Sequence, residues 1–385
     1  MHCTMELTGL ILTAICLGMS SVVVGNEVNK HQDLLAGRPS SVSDASLPCL
    51  KDLAKKFGIW IGSASNAKHI HDDKEYDQVL AEQFSITTPE NACKWTTIRP
   101  NEATFNFTNC DYVVATAQGN NQTIRGHNLC WGAHNPAWLD KFDNNSTALR
   151  SLLITHISTV GKHYAGHMYS WDVVNEAVLD SPKNGTYLKT NTWYPAVPDY
   201  IDLAFKTTHE ADSSVKLFYN DYNCEVINAK SDAIYKMLKT MMANSVPLHG
   251  FGIQAHFSIS HADARHAKKR LSGGHKFASS VPTDWSTVED NIKRFVDLGL
   301  EVHITEMDVS IPSNSQQYLD QQADVYRNML KACLKYAPKC KSFETWGFVD
   351  KYSWKKNDPD YFDASFKPKP CFYAVVDTLN TTHVL

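Results

Sequence analysis

The chain has 385 residues, of which 43% are hydrophobic and 20% charged, and its formal net charge at pH 7 is −4. This length suits one large globular domain or two ordinary ones. The small negative charge excludes the strongly basic surface that marks nucleic-acid-binding proteins, so we expect no nucleic-acid partner.

The first segment of the chain has the pattern of a secretory leader. Residues 7–24 are apolar and rich in small residues, and Gly25 follows at a small-residue cleavage site. We predict a signal peptide at residues 1–25 and a secreted, extracellular protein. The segment departs from the usual signal-peptide pattern in that Lys and Arg are missing before the apolar run. A signal anchor is the alternative. No later apolar run approaches the about 20 residues of a membrane span, so we expect no membrane association.

The cysteines and the glycosylation motifs agree with export. Ten cysteines occur, and removal of Cys3 and Cys16 with the signal leaves eight, an even number that is typical of disulfide-bonded secreted proteins. Only Cys333 and Cys340 are close enough in sequence to suggest a local bridge, and the wide spacing resembles no zinc site. Six Asn-x-Ser/Thr motifs predict a glycoprotein: Asn106, Asn121, Asn144, Asn145, Asn184 and Asn380.

Beyond a polar arm at residues 26–48, strand-like and helix-like segments alternate. Apolar residues recur at three- and four-residue steps over residues 149–164 and 233–242, which predicts helices. Eight short β-branched or aromatic runs predict strands at residues 57–61, 84–88, 123–129, 171–174, 217–219, 251–254, 302–305 and 343–346. Eight strands that alternate with helices predict a single-domain (β/α)8 TIM barrel, an α/β fold, over residues 49–385.

Two of the predicted strands end on a glutamate. Residues 170–177 read Ser-Trp-Asp-Val-Val-Asn-Glu-Ala and deliver Glu176, and residues 301–308 read Glu-Val-His-Ile-Thr-Glu-Met-Asp and deliver Glu306. For a lone glutamate a helix cap or a structural ion pair would be the simpler interpretation. Two such carboxylates at the same rim of a parallel barrel can flank one bond, which is the minimum apparatus for glycoside hydrolysis.

Polar and aromatic side chains follow the other predicted strands as well. Aromatic faces stack on the C–H faces of sugars, while amide, carboxylate, lysine and histidine side chains exchange hydrogen bonds with hydroxyls. The residues at these strand ends that suit a sugar are Glu90, Asn91, Lys94, His127, Trp131, Asn175, Gln254, His256, Asp308 and Trp346.

Over residues 50–379 the sequence resembles glycoside hydrolase family 10, the retaining endo-β-1,4-xylanases. The motifs that carry the resemblance occur in family order: Thr88-Pro-Glu-Asn91 with Lys94-Trp95, Arg125-Gly-His127 with Trp131, Trp171-Asp-Val-Val-Asn-Glu176, Tyr219-Asn-Asp-Tyr-Asn223, Gly252-Ile-Gln-Ala-His256, Ile304-Thr-Glu-Met-Asp308, and Trp346-Gly347 with Asp350 and Trp354.

The resemblance implies a role for each matching residue. Glu176 matches the general acid/base and Glu306 the nucleophile, with about 5–5.5 Å expected between their carboxyls. Asn175 matches the residue that binds the sugar 2-hydroxyl, and His256 with Asp308 matches a pair that keeps the nucleophile ionised. Sugar-binding positions are matched by Glu90, Asn91, Lys94, His127, Trp131 and Gln254, and walls of the cleft by Trp346 and Trp354. The resemblance implies a xylan substrate, no cofactor, no metal and a monomer.

One departure from the family bears on the site. The family usually has a histidine directly after Trp131, where this chain has Gly132. The resemblance therefore implies that Asp172 lacks its usual partner, with a consequence for the pH profile of the acid/base.

Three other functions are compatible with parts of the sequence. His69 and His71, followed by Asp72 and Asp73, are the pattern of a metal-dependent barrel hydrolase, although a solvated loop explains them as well. A non-catalytic carbohydrate-binding barrel is disfavoured because both glutamates are present. A broader β-1,4-glucanase would use the same catalytic pair, since xylose and glucose units differ by one hydroxymethyl group.

The segment 261–276 is unusually basic. It carries the five cations Arg265, Lys268, Lys269, Arg270 and Lys276, and it follows the sixth predicted strand. In a barrel it would lie on the active-site face, where it would attract acidic side groups of a polysaccharide. A flexible, solvated insertion is the alternative.

Overall fold

The computed structural model describes residues 47–183, 185–260 and 279–384. The predicted signal peptide, most of the predicted arm, the motif at Asn184 and the basic segment 261–276 lie outside these residues. The described strands are β1 (Trp60–Ser65), β2 (Ile86–Pro89), β3 (Thr123–Trp131), β4 (Ser170–Asn175), β5 (Val178–Lys183), β6 (Thr186–Leu188), β7 (Lys216–Asp221), β8 (Gly250–Ile253), β9 (His256–Ser258), β10 (Ser279–Ser280), β11 (Glu301–Ser310) and β12 (Cys340–Thr345).

Helices and short 3-10 turns connect these strands. The described α-helices are α1 (Leu50–Ala54), α2 (Ala67–Asp72), α3 (Lys74–Gln83), α4 (Trp95–Ile98), α5 (Thr108–Gly119), α6 (Ser146–His163), α7 (Tyr200–Ala211), α8 (Ala229–Ala243), α9 (Ser286–Asp297), α10 (Gln316–Leu334) and α11 (Pro370–Thr381). The 3-10 turns are Lys55–Phe57, Ala137–Phe142 and Asp350–Tyr352.

Eight of the described strands close into a parallel barrel. The order around it is β1-β2-β3-β4-β7-β8-β11-β12, and β12 pairs with β1 to close the ring. Strands β5 and β6 form a separate antiparallel hairpin that follows β4, and the short β9 and β10 pair alongside β11. The predicted (β/α)8 barrel is therefore confirmed.

All eight predicted strand runs overlap barrel strands, but the first was placed too early. Phe57 lies in a 3-10 turn, which Gly58 ends at a φ of +67°, and β1 starts only at Trp60. A backbone with positive φ is strongly favoured at glycine, so Gly58 separates the turn from the strand. The apolar residue at position 57 packs into the core from the turn rather than from the strand.

The two helix predictions are also confirmed, and helix α6 shows why these segments are helical. The side chain of Asn145 accepts a hydrogen bond from the backbone N–H of Ala148 at 3.1 Å and so caps the helix. Leu149, Leu153 and Ile157 are fully buried at helical spacing. Strand β4, which the helix precedes, is buried at every position, as expected for a parallel strand covered on both faces.

The barrel interior holds charged side chains beneath the rim. Arg125 on β3 is fully buried and bonds both oxygens of Asp172 on β4, and its Nη1 lies 2.8 Å from Nδ1 of His303 on β11. Burial lowers the pKa of His303 to about 4 and raises that of Glu344 to about 7. A buried ion pair is tolerated only when both partners stay paired, so these charges constrain how the strands can pack.

Two disulfides connect described cysteines. The predicted Cys333–Cys340 bridge is present, and a second bridge joins Cys93, in the loop after β2, to Cys110 on α5. Among the described residues four cysteines are free: Cys49, Cys130, Cys224 and Cys371. The even number of cysteines therefore does not mean that all of them pair.

The surface is consistent with the glycosylation motifs. The asparagines of the five motifs within the described residues are all exposed. Among the helices of the described ranges, none combines the length and the apolar character that crossing a bilayer requires.

One buried histidine leads to a prediction about acid stability. His156 on α6 is fully buried, its ring packs edge-on against Trp95 at 4.0 Å, and neither ring nitrogen has a partner within the described residues. Burial holds the pKa of His156 well below 6.5, so the neutral ring is the native form. Protonation then favours the unfolded chain, and stability is lost as the pH falls below the unfolded value of about 6.5.

We expect His156→Leu to reduce this loss. Between about pH 7.5 and about pH 5 the wild type should lose up to about 2 kcal/mol more unfolding free energy than the variant, at about 1.4 kcal/mol per pH unit below 6.5. Urea unfolding at both pH values measures the difference. The exposed His209, changed to Leu, is the control. An unchanged pH dependence in His156→Leu would contradict the prediction.

Candidate active site

The two predicted catalytic glutamates lie toward the carboxyl ends of β4 and β11. Glu176 directly follows β4, and Glu306 lies in the second half of β11; their exposed fractions are 8% and 4%. Because the strands are parallel, the residues at these ends share one rim of the barrel. The contacts described below place the other predicted site residues at the same rim.

Neutral donors surround the Glu176 carboxyl. Trp131 donates from Nε1 to Oε2 at 3.1 Å, and Gln254 donates from Nε2 to Oε1 at 3.0 Å. The amide of Asn175 lies 3.3 Å from the same Oε1. Burial raises the pKa of Glu176 to about 7; Lys189 opposes the shift, while Asp221 and Glu306 add to it. The carboxyl can therefore hold a proton near neutral pH.

Glu306 has a cationic neighbour instead. Asn220 donates from Nδ2 to Oε1 at 2.7 Å, and Nε2 of His256 lies 3.2 Å from Oε2. The other ring nitrogen of His256 lies 2.8 Å from Asp308 Oδ2. Burial alone would lower the pKa of His256, but Asp308 and Glu306 outweigh it and raise that pKa to about 9. A protonated imidazole therefore faces the Glu306 carboxylate at neutral pH.

Asp308 is held ionised by its own partners. It accepts hydrogen bonds from Trp354 Nε1 at 2.8 Å and from Lys355 Nζ at 2.5 Å. Burial opposes ionisation, but His256 and Lys355 outweigh it, so the pKa of Asp308 is lowered. The group Glu306, His256, Asp308 and Lys355 thus contains two anions and two cations, all at most 4% exposed.

Amide side chains connect the surroundings of the two glutamates. The side-chain oxygen Oδ1 of Asn175 accepts hydrogen bonds from Asn220 Nδ2 at 2.9 Å and from Gln254 Nε2 at 3.2 Å. These two amides also donate to Glu306 and to Glu176, respectively. The position of each carboxyl therefore depends on the same three buried amides.

The predicted sugar-binding residues lie beside this array. Lys94 donates to Asn91 Oδ1 at 2.8 Å, and its ammonium lies 5.3 Å from the ring centre of Trp131 and 5.7 Å from that of Trp346. Burial lowers the pKa of Lys94, although Glu306, Glu90 and Glu176 counteract this.

The remaining members of this set have further partners. Glu90 accepts from Asn66 Nδ2 at 2.9 Å. His127 lies 4.9 Å from Trp346, ring centre to ring centre. Trp354, predicted as a cleft wall, is 43% exposed at the rim and also bonds Asp308. Cations, amides, carboxylates and indole faces thus line one end of the barrel.

Gly132 does not leave Asp172 without partners. Asp172 is fully paired, because Arg125 bonds both of its oxygens and His127 Nδ1 lies 2.9 Å from Oδ2. The space beside Gly132 is filled by Asn191, whose side chain would lie 2.9 Å from an added Cβ. Another loop therefore occupies the room that a side chain at position 132 would need.

The histidine pair of the metal-dependent alternative lies on helix α2 instead. The ring of His69 stacks on Tyr352 at 3.8 Å, and the exposed His71 pairs with Asp72. Within the described ranges the group with metal-ligand spacing is His127, Asp172 and Glu306. The guanidinium of Arg125 already bonds both oxygens of Asp172. Asp172 is therefore engaged in an ion pair and is poorly suited to bind a metal ion as well.

Sequence reasoning placed Asn220 in the motif 219–223 but gave it no role, and it missed Lys355. Asn220 bonds Glu306 directly, and Lys355 bonds the carboxylate that orients His256. A role for Asn220 was detectable, because this residue directly follows the predicted strand 217–219 as Glu176 follows another. Lys355 had no such marker, since it lies in a long loop after β12 and reaches the site only through the fold.

Comparison with known proteins identifies a family and several xylanases to which this chain is similar. The family model "Glycosyl hydrolase family 10" matches residues 49–378. Endo-1,4-beta-xylanase B of Thermotoga neapolitana is 36% identical over 89% of this chain and 94% of its own length. A beta-1,4-xylanase of Dictyoglomus thermophilum is 32% identical over 86% and 91%. The crystal structure of xylanase 10B from Thermotoga petrophila RKU-1 with xylobiose superimposes with a TM-score of 0.77 at 36% identity, covering 88% of this chain and 99% of that one.

The charge on His256 can be tested directly. In Asp308→Asn the anion that raises the pKa of His256 is lost, so we expect that pKa to fall from about 9 by about one to three units. An NMR titration of the imidazole nitrogens measures the change. Asp111→Asn is the control, because Asp111 contacts a different histidine, His163. A pKa that stays near 9 in Asp308→Asn would contradict the prediction.

Proposed function

The chain belongs to glycosyl hydrolase family 10, and from this membership we propose that it is an endo-1,4-β-xylanase that retains the anomeric configuration of its substrate. The observation that carries the proposal is the contrast between its two buried glutamates. Glu176 has a raised pKa among neutral donors, whereas Glu306 faces the cation of His256. A retaining glycosidase needs one carboxyl that holds a proton and one that does not.

In the first step Glu176 is the acid and Glu306 the nucleophile. The carboxylate of Glu306 attacks the anomeric carbon, and the bond to the leaving sugar breaks as Glu176 transfers its proton to the departing oxygen. The products are a covalent glycosyl-enzyme and a free chain end. His256 and Asn220 donate hydrogen bonds to Glu306 and so hold its carboxyl in place before the attack.

In the second step Glu176 acts as a general base instead of a general acid. Now ionised, it removes a proton from water, which attacks the anomeric carbon and displaces Glu306. Two inversions give net retention, and Glu176 is again protonated. A pKa of about 7 suits both duties, because the group can donate and accept a proton near neutral pH.

The surrounding residues suit the binding of a sugar next to the cleaved bond. We assign the 2-hydroxyl to Asn175, where a hydrogen bond strengthens as the oxocarbenium-like transition state forms. Glu90, Asn91, Lys94, His127 and Gln254 offer donors and acceptors for the other hydroxyls. The indoles of Trp131, Trp346 and Trp354 offer flat faces for the rings of the polymer.

The proposal includes secretion of a glycosylated protein. The predicted signal peptide at residues 1–25 supports it, as do the two disulfides, since such bonds persist in oxidising compartments. The exposed asparagines of the five described motifs are accessible for glycosylation.

The stereochemistry and the substrate can be tested together. Proton NMR of early xylan digestion should show β-anomers first, because the expected carboxyl separation of about 5–5.5 Å would leave no room for direct attack by water. Soluble cellulose digested in parallel should be cleaved much more slowly. α-Anomers appearing first would exclude retention, and equal rates on the two polymers would favour a broader β-1,4-glucanase.

Azide separates the roles of the two glutamates. With an activated aryl leaving group, Glu176→Ala should still form the glycosyl-enzyme and then stall, because no base activates water. Azide should restore turnover and give a β-glycosyl azide. Glu306→Ala should give no β-glycosyl azide, since it has no intermediate to intercept. A swapped pattern between the two variants would reverse the assigned roles. Product identification by mass spectrometry and NMR distinguishes the outcomes.

A further inference from the structure

The backbone at Glu176 has an unusual conformation. Glu176 has a φ of +57°, in the left-handed region that residues with side chains rarely adopt. The two residues that follow, Ala177 and Val178, complete what we call the Glu176 turn, and strand β5 begins at Val178. Such a conformation persists only where the surrounding structure holds it. The direction of the Glu176 carboxyl therefore depends on what holds this turn.

The hydroxyl of Tyr219 contacts the backbone of the turn at two positions. The turn has other contacts as well, because Glu176 N–H donates to Asn220 O at 2.9 Å and Val178 N–H to Asp221 Oδ2 at 3.4 Å. The backbone N–H of Ala177 donates to the Tyr219 hydroxyl at 3.0 Å, and that of Val178 donates to it at 3.2 Å. The hydroxyl in turn donates to Asp221 Oδ2. A phenol has one donor and two lone pairs, so all of its hydrogen-bonding capacity is used. Burial and the charge of Asp221 raise the pKa of Tyr219, which keeps that proton in place.

A buried lysine holds Asp221. Lys230 on α8 is 1% exposed, and its ammonium lies 2.8 Å from Asp221 Oδ1 and 2.9 Å from Asp180 Oδ1. Asp180 belongs to β5, the strand that leads away from the turn. The lysine therefore connects the support beneath the turn with the segment that follows it. Its charge also balances Asp221, a carboxylate that contributes to the raised pKa of Glu176.

Strand alternation separates this network from the substrate. Successive side chains of a strand point to opposite faces. Asn220 bonds Glu306 inside the barrel, so its neighbours Tyr219 and Asp221 point outward, toward the Glu176 turn and α8. Tyr219 contacts the backbone after Glu176 and reaches neither carboxyl of the catalytic pair by a hydrogen bond of its own.

We propose that Tyr219, held by the Asp221–Lys230 ion pair, is the positioning residue for the acid/base Glu176. It holds the Glu176 turn in the conformation that aims the carboxyl at the glycosidic oxygen. This inference rests on the proposed function, because it takes Glu176 as the acid/base. It predicts that loss of the hydroxyl impairs proton transfer and leaves the nucleophile intact.

The test compares leaving groups that do and do not need protonation. For Tyr219→Phe, kcat/KM with phenyl β-xylobioside should fall about 10- to 100-fold, a fraction of the full contribution of a general acid. With 2,4-dinitrophenyl β-xylobioside, which needs little protonation, the fall should stay below about threefold. The matched control is Tyr164→Phe. Tyr164 precedes β4, is buried, and donates its hydroxyl to an aspartate, Asp111, as Tyr219 does to Asp221. That variant should show no leaving-group dependence.

Glu176→Ala provides the reference for these measurements. In that background, adding Tyr219→Phe should cause no further loss with the phenyl substrate, since a positioning residue has nothing left to position. A further loss, an equal loss with both leaving groups in Tyr219→Phe, or no loss with phenyl would overturn the inference. If Glu176→Ala itself lost activity equally with both leaving groups, the proposed function would fail instead.

A second variant covers the case in which Tyr219→Phe does not fold. Asp221→Asn keeps an acceptor for the hydroxyl but removes the charge that pairs with Lys230. We expect kcat/KM to fall with the phenyl substrate but not with the 2,4-dinitrophenyl substrate, and by less than in Tyr219→Phe. The circular-dichroism spectrum should match that of the wild type. An equal loss with both leaving groups in this folded variant would also overturn the inference.

Discussion

The site depends on one constraint, which is that Glu176 and Glu306 have different electrostatic environments. Both carboxyls are buried at one rim, where an unpaired charge is costly. Two cations, His256 and Lys355, lie with Asp308 on the side of Glu306, whereas indole and amide donors contact Glu176. The difference in charge thus assigns two chemical roles to one type of side chain.

The barrel holds the side chains that create this difference in fixed positions. Alternation along β7 aims Asn220 at Glu306 while Tyr219 and Asp221 support the turn after Glu176, so one strand serves both carboxyls from opposite faces. Below the rim, the buried pair of Arg125 and Asp172 fixes two neighbouring strands, because separating them would leave uncompensated charge in the core. The site is therefore held from beneath as well as from its sides.

The local pattern of the chain was sufficient for the fold and for the centre of the site. Strand runs, helical spacing and two strand-end glutamates predict a closed barrel with Glu176 and Glu306 at one rim, and the structure has this architecture. One error was also local. Phe57 resembled a strand residue because it is apolar, but Gly58 ends a turn there.

Sequence alone determined the approximate positions of the eight barrel strands, because hydrophobic periodicity is a local property of the chain. Tertiary structure alone decided the partners: Lys355 with Asp308, Cys93 with Cys110, and Lys230 with Asp221. Each of these contacts joins two separate segments of the chain, and no local sequence pattern indicates that they pair. Strand register, helix placement and loop path bring them together, and each of these depends on the packing of the whole barrel.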